Sequence, residues 1–317
     1  MDTVGNLGLY GVFFTLVFAL LLVDLISFKQ NPDGKVSTKQ AAIWSLIWVG
    51  VASLFGAGLW VYLKQTATVE LANTKTMEFF TGYLIEKSLA IDNVFVWLMI
   101  FSAFAIPPIL QRKVLLYGII GAIIMRTVMI FAGAWLIQEF HWILYLFGAF
   151  LVYTGIKMWT SHGEEVDLEN GKLLQFLRRH MRLTDKLDGD KFVIRQNGLL
   201  FFTPLMLVVV LVELSDVIFA VDSIPAIFAV TTDPFIVLTA NLLAILGLRA
   251  MFFLVTDLAS RMELLPYALS IILVFIGVKM LIVEYYKIPI LFSLSFVVIT
   301  LGIAAFLSWR QQEKSTS

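Results

Sequence analysis

The sequence predicts an all-α, polytopic membrane protein with about nine transmembrane helices, six of which form two inverted three-helix repeats. Three observations predict it. Hydrophobic residues are 60% of the 317 and charged residues 15%, against roughly 25% charged in soluble proteins. The apolar residues gather in runs of about 20, the length that spans a bilayer as a helix. One set of charged markers inside those runs occurs twice, in the same order.

The runs lie at 8–27, 41–63, 77–103, 114–137, 142–160, 199–229, 235–256, 265–285 and 288–308. The first has Asp2 but no Lys or Arg before it and no clear small-residue cleavage site, so it reads as a retained helix rather than a signal peptide. Basic connections stay on the cytoplasmic side. With the N-terminus outside, the outside connections hold only Lys64, Lys75 and Lys287, and most of the 23 basic residues fall inside, so the C-terminus is cytoplasmic. This divides the chain into two N-terminal helices (1–76), a first three-helix unit (77–160), a cytoplasmic loop (161–197), a second unit (198–285), and a last helix with a short tail (286–317). Within the loop, LLQFLRRHMRL could form a basic amphipathic helix on the inner leaflet, but composition favours a plain solvated connector between the two halves.

Charge and composition exclude several classes. Lys plus Arg is 23 and Asp plus Glu is 23, so no net field recruits nucleic acid. There is no cysteine, which removes disulfides and thiolate metal sites. Neither a catalytic cofactor nor an enzyme activity is expected.

The duplicated markers are Glu86, Asp92-Asn93, Arg126 and Gly155-Ile156-Lys157-Met158, then Asp216, Asp222-Ser223, Arg249 and Gly277-Val278-Lys279-Met280. Each unit has three helices. Three is odd and the loop between the units does not cross, so the second unit enters from the opposite side, as in transporters with a site between inverted repeats. A duplicated structural bundle is the plainer alternative.

An Asp at the centre of a membrane helix costs about 2.5–3.5 kcal/mol on the insertion scale, and such residues are functional candidates by default. The spans hold the acids Glu86, Asp92, Glu213, Asp216 and Asp222 against the bases Lys87, Arg126 and Arg249. Ion pairing between them is the competing account, but the acids are in surplus, which a bound cation offsets. Residues six apart on an α-helix point about 120° apart. The spacing of Glu86 to Asp92 and of Asp216 to Asp222 therefore asks for a helix break or for acids engaged in different states. Pro225 offers a break, since it leaves the carbonyl of Val221 without its helical donor. Carboxylates with Asn93, Ser223, that carbonyl and Asn241 form an all-oxygen set suited to Mg²⁺, Ca²⁺ or Mn²⁺. His141, His162 and His180 all fall in connections.

The segments IEKSLAIDNVFVW, ELSDVIFAVDSIPAIFAVTTDPFIVL and LGLRAMFFL resemble the TerC family of integral membrane proteins, and closely its Alx-like members, from about Lys39 to Ile288. The resemblance implies a bacterial inner-membrane protein of manganese homeostasis, generally an exporter, with Mn²⁺ as transported ion. It places the family's acidic motif on Glu86, Asp92, Asn93, Asp216, Asp222 and Ser223, with Glu213 beside the second. Exporting two positive charges against 100 mV costs about 4.6 kcal/mol, so antiport with protons is the expected coupling. In this scheme Arg126 and Arg249 pair with whichever acid is unoccupied. A membrane assembly or scaffold protein that supplies metal to exported proteins is the alternative, and the sequence leaves the oligomeric state open.

Overall fold

A computed structural model describes residues 3–27, 36–140, 142–160, 182–184, 187–196, 198–258, 264–282, 285–286 and 288–316. Its helices are α1 (Leu7–Ser27), α2 (Thr38–Thr66), α3 (Val69–Ala103), α4 (Pro108–Glu139), α5 (Ile143–Thr160), α6 (Pro204–Phe228), α7 (Pro234–Leu246), α8 (Leu248–Leu258), α9 (Leu265–Leu281) and α10 (Ile290–Thr316). The antiparallel strands β1 (Val193–Gln196) and β2 (Leu199–Phe202) precede α6. Helices α1, α2, α4 and α6 are long and apolar enough to cross a membrane, and α7 with α8, bent by 43°, makes a fifth span if counted as one. The chain is a mostly helical, multi-pass membrane protein.

Two details correct the sequence reading. The sixth apolar run was expected to be helical from residue 199, but Leu199–Phe202 pair with Val193–Gln196 and the helix starts at Pro204. A short apolar run does not separate strand from helix by periodicity. Here Gly198, at φ +80°, closes the hairpin turn, and Pro204 suits the first helical position. The second correction concerns Pro225. Helix α6 continues unbroken through Asp222 to Phe228, although Pro225 has no N–H to donate to the Val221 carbonyl. The break in the second half falls instead at Gly247, between α7 and α8.

The packing turns soluble logic around. Large apolar side chains such as Leu46, Leu54, Val128 and Phe306 face outward, while Glu86, Arg126, Asp216, Asp24 and Arg249 are buried. Lipid solvates the first group, and the second must find partners inside. Helix α3 packs on α2, α6 and α7, and α4 packs on α6 and α7. Helices α5 and α9 form the closest pair and run antiparallel: Gly148 meets Gly277, and Gly155 meets Ser270. Small residues allow this approach of backbones in a membrane interface.

The hairpin is tied to the start of α4. Lys113 Nζ donates to the Asp190 backbone carbonyl and to Asp190 Oδ2, both at 2.7 Å, and lies over the Phe192 ring; Tyr117 meets that ring edge-on. The hydrogen bond and charge of Lys113 hold the Asp190 carboxyl below its usual range. A depressed folded pKa gives support that is present above the unfolded value, about 3.9, and is lost as pH falls through the lower folded value. Limited proteolysis at Lys191 should therefore become easier below about pH 4 in the wild type. In Asp190→Asn it should be easy at every pH. The amphipathic stretch at 173–183 lies mostly outside the described residues; its Arg182 carbonyl accepts from Phe202 N–H at 2.8 Å.

Candidate functional site

The site is built on a seven-residue spacing. Seven residues make nearly two whole helical turns, so Glu86 and Asn93 share one face of α3, and Asp216 and Ser223 share one face of α6. These faces meet over Arg126 of α4. Its Nε donates to Asp216 Oδ2 at 3.0 Å and its Nη2 to Asp216 Oδ1 at 2.7 Å, a bidentate grip. Its Nη1 donates to Glu86 Oε1 and makes a longer contact, 3.5 Å, with Ser223 Oγ. Asn93 Nδ2 adds a 3.1 Å bond to Asp216 Oδ1. Glu86 and Arg126 are 1% exposed and Asp216 2%.

Beside this cluster is a cavity of about 40 Å³. Glu86, Asn93, Arg126 and Ser223 form its polar side, and Met158 of α5 with Phe219 and Leu273 part of its apolar side. One water needs roughly 10–15 Å³ by such a measure, so the space suits a small ion. Glu86 Oε2 and Asn93 Oδ1 are buried with no hydrogen-bond partner among the described residues. Two carboxylates face one guanidinium, which leaves one negative charge over in a region where unpaired charge is expensive.

The remaining predicted residues divide. Asp92 and Asp222 have backbones in α3 and α6, but their side chains lie outside the described residues. Glu213 is on the α4–α6 contact, where a Cβ at Gly121 would overlap its carboxylate; its Oε2 is buried with no partner among the described residues, and it does not bond Arg126. Val221 and Asn241 do not line the cavity; Asn241 is fully buried on α7, and neither amide atom has a partner among the described residues. Lys87 points from α3 to α7, donating to the Ala244 carbonyl at 3.2 Å, and the missing side chain of Gly247 makes room for its ammonium. Among the described residues no group of three or more His, Asp or Glu is placed to hold a metal. Arg126 stands between the two carboxylates that would begin such a group.

Arg249 has a partner outside both units: it bonds Asp24 of α1, Nη1 to Oδ2 at 2.7 Å. The sequence held a signal for this, since Asp24 is the sole charge in the first apolar run, yet it lies outside the repeated pattern. A second network was also missed. Lys75 bonds Glu78 at 2.9 Å and approaches Asp233 at 3.7 Å, while Thr231 Oγ1 donates to Glu78 Oε2 at 2.6 Å. It ties α3 to the start of α7.

Residues 71–316, which contain both acid-bearing helices and Arg126, match the Integral membrane protein TerC family. The chain belongs to the TerC family. It is 55% identical over 318 residues to a protein of Escherichia coli (strain K12) named as a membrane-bound redox modulator, Alx, covering 99% of each chain. A protein of the same name from Photorhabdus laumondii is 53% identical over 317 residues, covering 100% of this chain and 99% of that one. An uncharacterized membrane protein of Myxococcus xanthus, STKORF319, is 44% identical over 306 residues, covering 96% and 93%. No solved structure matches. The whole Glu86–Arg126–Asp216 cluster thus falls within the TerC match, whereas α1 and α2 precede it.

Proposed function

We propose that the chain is a divalent-cation transporter whose cargo is Mn²⁺, carried outward across the inner membrane by alternating access in exchange for protons. The observation that carries this reading is the meeting of Glu86 and Asp216, matched markers of two units, across one arginine, with a negative charge and two buried oxygens left over beside an ion-sized cavity. An arriving cation competes with the Arg126 guanidinium for the same carboxylates. A proton does so as well, and that competition is how one site can serve both ions.

The packing supports the pairing of the units and, with it, the nine-span plan with the N-terminus outside. Gly155 and Gly277 are matched markers, and each meets the residue seven positions before the other: Gly155 meets Ser270, and Gly277 meets Gly148. Likewise α3 packs on α7 while its counterpart α6 packs on α4. A two-fold axis in the membrane plane produces such reciprocal contacts. The redox name of the relatives fits a chain that controls a redox-active metal; without cysteine this one offers no thiol couple.

The test is flux in proteoliposomes with an imposed pH gradient, comparing Mn²⁺, Mg²⁺ and Ca²⁺. Mn²⁺ uptake that rises with the gradient, and that Asp92→Asn or Asp222→Asn abolishes at normal protein levels, is the expected result. Wild-type vesicles that move no metal would leave the scaffold reading standing instead. Unchanged flux in both variants would remove Asp92 and Asp222 from the site.

A further inference from the structure

Eleven residues make about three whole turns of an α-helix, a rise of about 16 Å. Lys75, near the start of α3, therefore lies on the face that Glu86 and Asn93 share, with Gly82 between them on the same face. Followed from Glu86 towards the end of the bundle that carries the N-terminal segment, this face is closed twice. At Gly82 a β-carbon would stand 3.1 Å from Ile227 Cγ2 of α6 and 3.3 Å from the Ala240 β-carbon of α7, and both neighbours are fully buried. Beyond that contact lies the polar network. Lys75 Nζ donates to Glu78 Oε2 at 2.9 Å and pairs with Asp233 Oδ2 at 3.7 Å. Thr231 Oγ1 donates to the same Glu78 oxygen at 2.6 Å, and Thr3 Oγ1 and Val4 N–H donate to Asp233. Glu78 is 8% exposed and Asp233 2%.

The second unit has no such polar closure. Eleven and eight residues before Asp216, the counterpart of Glu86, stand Leu205 and Val208, where the first half has Lys75 and Glu78. Both are fully buried. One acid-bearing helix is thus packed at its start by charge and the other by hydrocarbon. The difference matters for opening, because charged groups that part at a membrane surface exchange each other for water at little net cost, whereas apolar side chains gain nothing from water.

We infer that Lys75 is a gating residue for transport: its ammonium, shared between Glu78 of α3 and Asp233 at the N-cap of α7, shuts the route from the Glu86–Asp216 cluster to the side of the membrane where the N-terminus lies. This rests on the transport reading above, in which that side is the outer one. Alternating access requires the two units to separate at one end while they stay together at the other. The Lys75–Asp233 pair joins α3 to α7 at the end, as Arg126–Asp216 joins α4 to α6 at the centre. Lys75 does not line the cavity, and its side chain is 14% exposed, so it can turn out to water without uncovering a buried charge.

The sequence contains no cysteine, so a single introduced thiol reports alone. Ile227→Cys places it behind the polar network, and a membrane-impermeant cationic thiol reagent is added to the N-terminal side of oriented membrane vesicles. Lys75→Gln should raise the labelling rate about tenfold, the effect of a tenfold shift towards the open state. Lys64→Gln, at an exposed lysine of α2, should leave the rate unchanged. A purely structural Lys75 predicts a lower yield with the same rate per folded molecule, and that result overturns the assignment. A second measurement keeps Lys75 itself: Glu78→Cys with Thr231→Cys, joined by a short bifunctional thiosulfonate. Mn²⁺ flux in proteoliposomes should fall about tenfold or more on cross-linking and return when the link is reduced. Flux that the link leaves unchanged overturns the gate. If wild-type vesicles move no divalent cation, the transport reading itself fails; if they do and the cross-linked chain matches them, only the gate falls.

Discussion

Asp216→Asn is expected to reduce Mn²⁺ flux on the order of 100-fold per folded molecule, consistent with the ~3–5 kcal/mol that breaking a buried ion pair costs. Asp216 accepts from Arg126 at both oxygens and from Asn93 at one. An amide can keep one of these bonds, and its NH₂ would then face the guanidinium. The charge effect is as large as the geometric one. With Asp216 neutral, Glu86 alone balances Arg126, and nothing remains to attract a cation. Asp188→Asn is the control: Asp188 pairs with Lys191 at 3.1 Å on an exposed surface, where such pairs contribute about 0–1 kcal/mol. Its flux should match wild type. Wild-type flux in Asp216→Asn, at wild-type protein levels, would remove the cluster from the transport path.

Gly277→Val should prevent the bundle from assembling or lower its unfolding temperature in detergent by many degrees. A β-carbon there would stand 2.6 Å from the Gly148 carbonyl oxygen and 2.8 Å from the Val152 backbone nitrogen. Ordinary overpacking costs about 1–3 kcal/mol because side chains yield; here the opposing atoms are backbone, so a helix must move. Gly302→Ala in α10 has open space around it and should be neutral or stabilising by up to roughly 1 kcal/mol, the helix preference of Ala over Gly. Thermal unfolding followed by size-exclusion chromatography separates these outcomes. Equal melting of the two variants would mean that the α5–α9 crossing tolerates displacement.

Much of this arrangement was legible in the sequence, and what was not has physical causes. Helix positions follow from local hydropathy: α1, α2 and α5 start and end within a few residues of the apolar runs, while α3 and α4 start earlier, through the polar residues ahead of theirs. Glu86, Asn93, Arg126, Asp216 and Ser223 stood out because duplication marks them twice. The seven-residue pairs Glu86/Asn93 and Asp216/Ser223 set the faces that meet over Arg126, whereas the side chains of Asp92 and Asp222 lie outside the described residues. Pro225 looked like a breaker and Gly247 like an ordinary apolar-run glycine. Pro225 leaves the preceding turn short of one donor, yet the helix runs on for three residues past it. The Asp24–Arg249 pair joins residues 225 apart, and no local pattern connects them. Duplication does not reveal it either, because Asp24 lies outside the repeated pattern.

The crossing of α5 and α9 has one more consequence. Each glycine's backbone oxygen faces the bare α-carbon of the other, so the contact is isologous, as in a symmetric homodimer. Were the halves separate polypeptides, one bulky substitution would strike such an interface twice. Fusing them into a single chain lets each side vary alone, so that one half can change without the other.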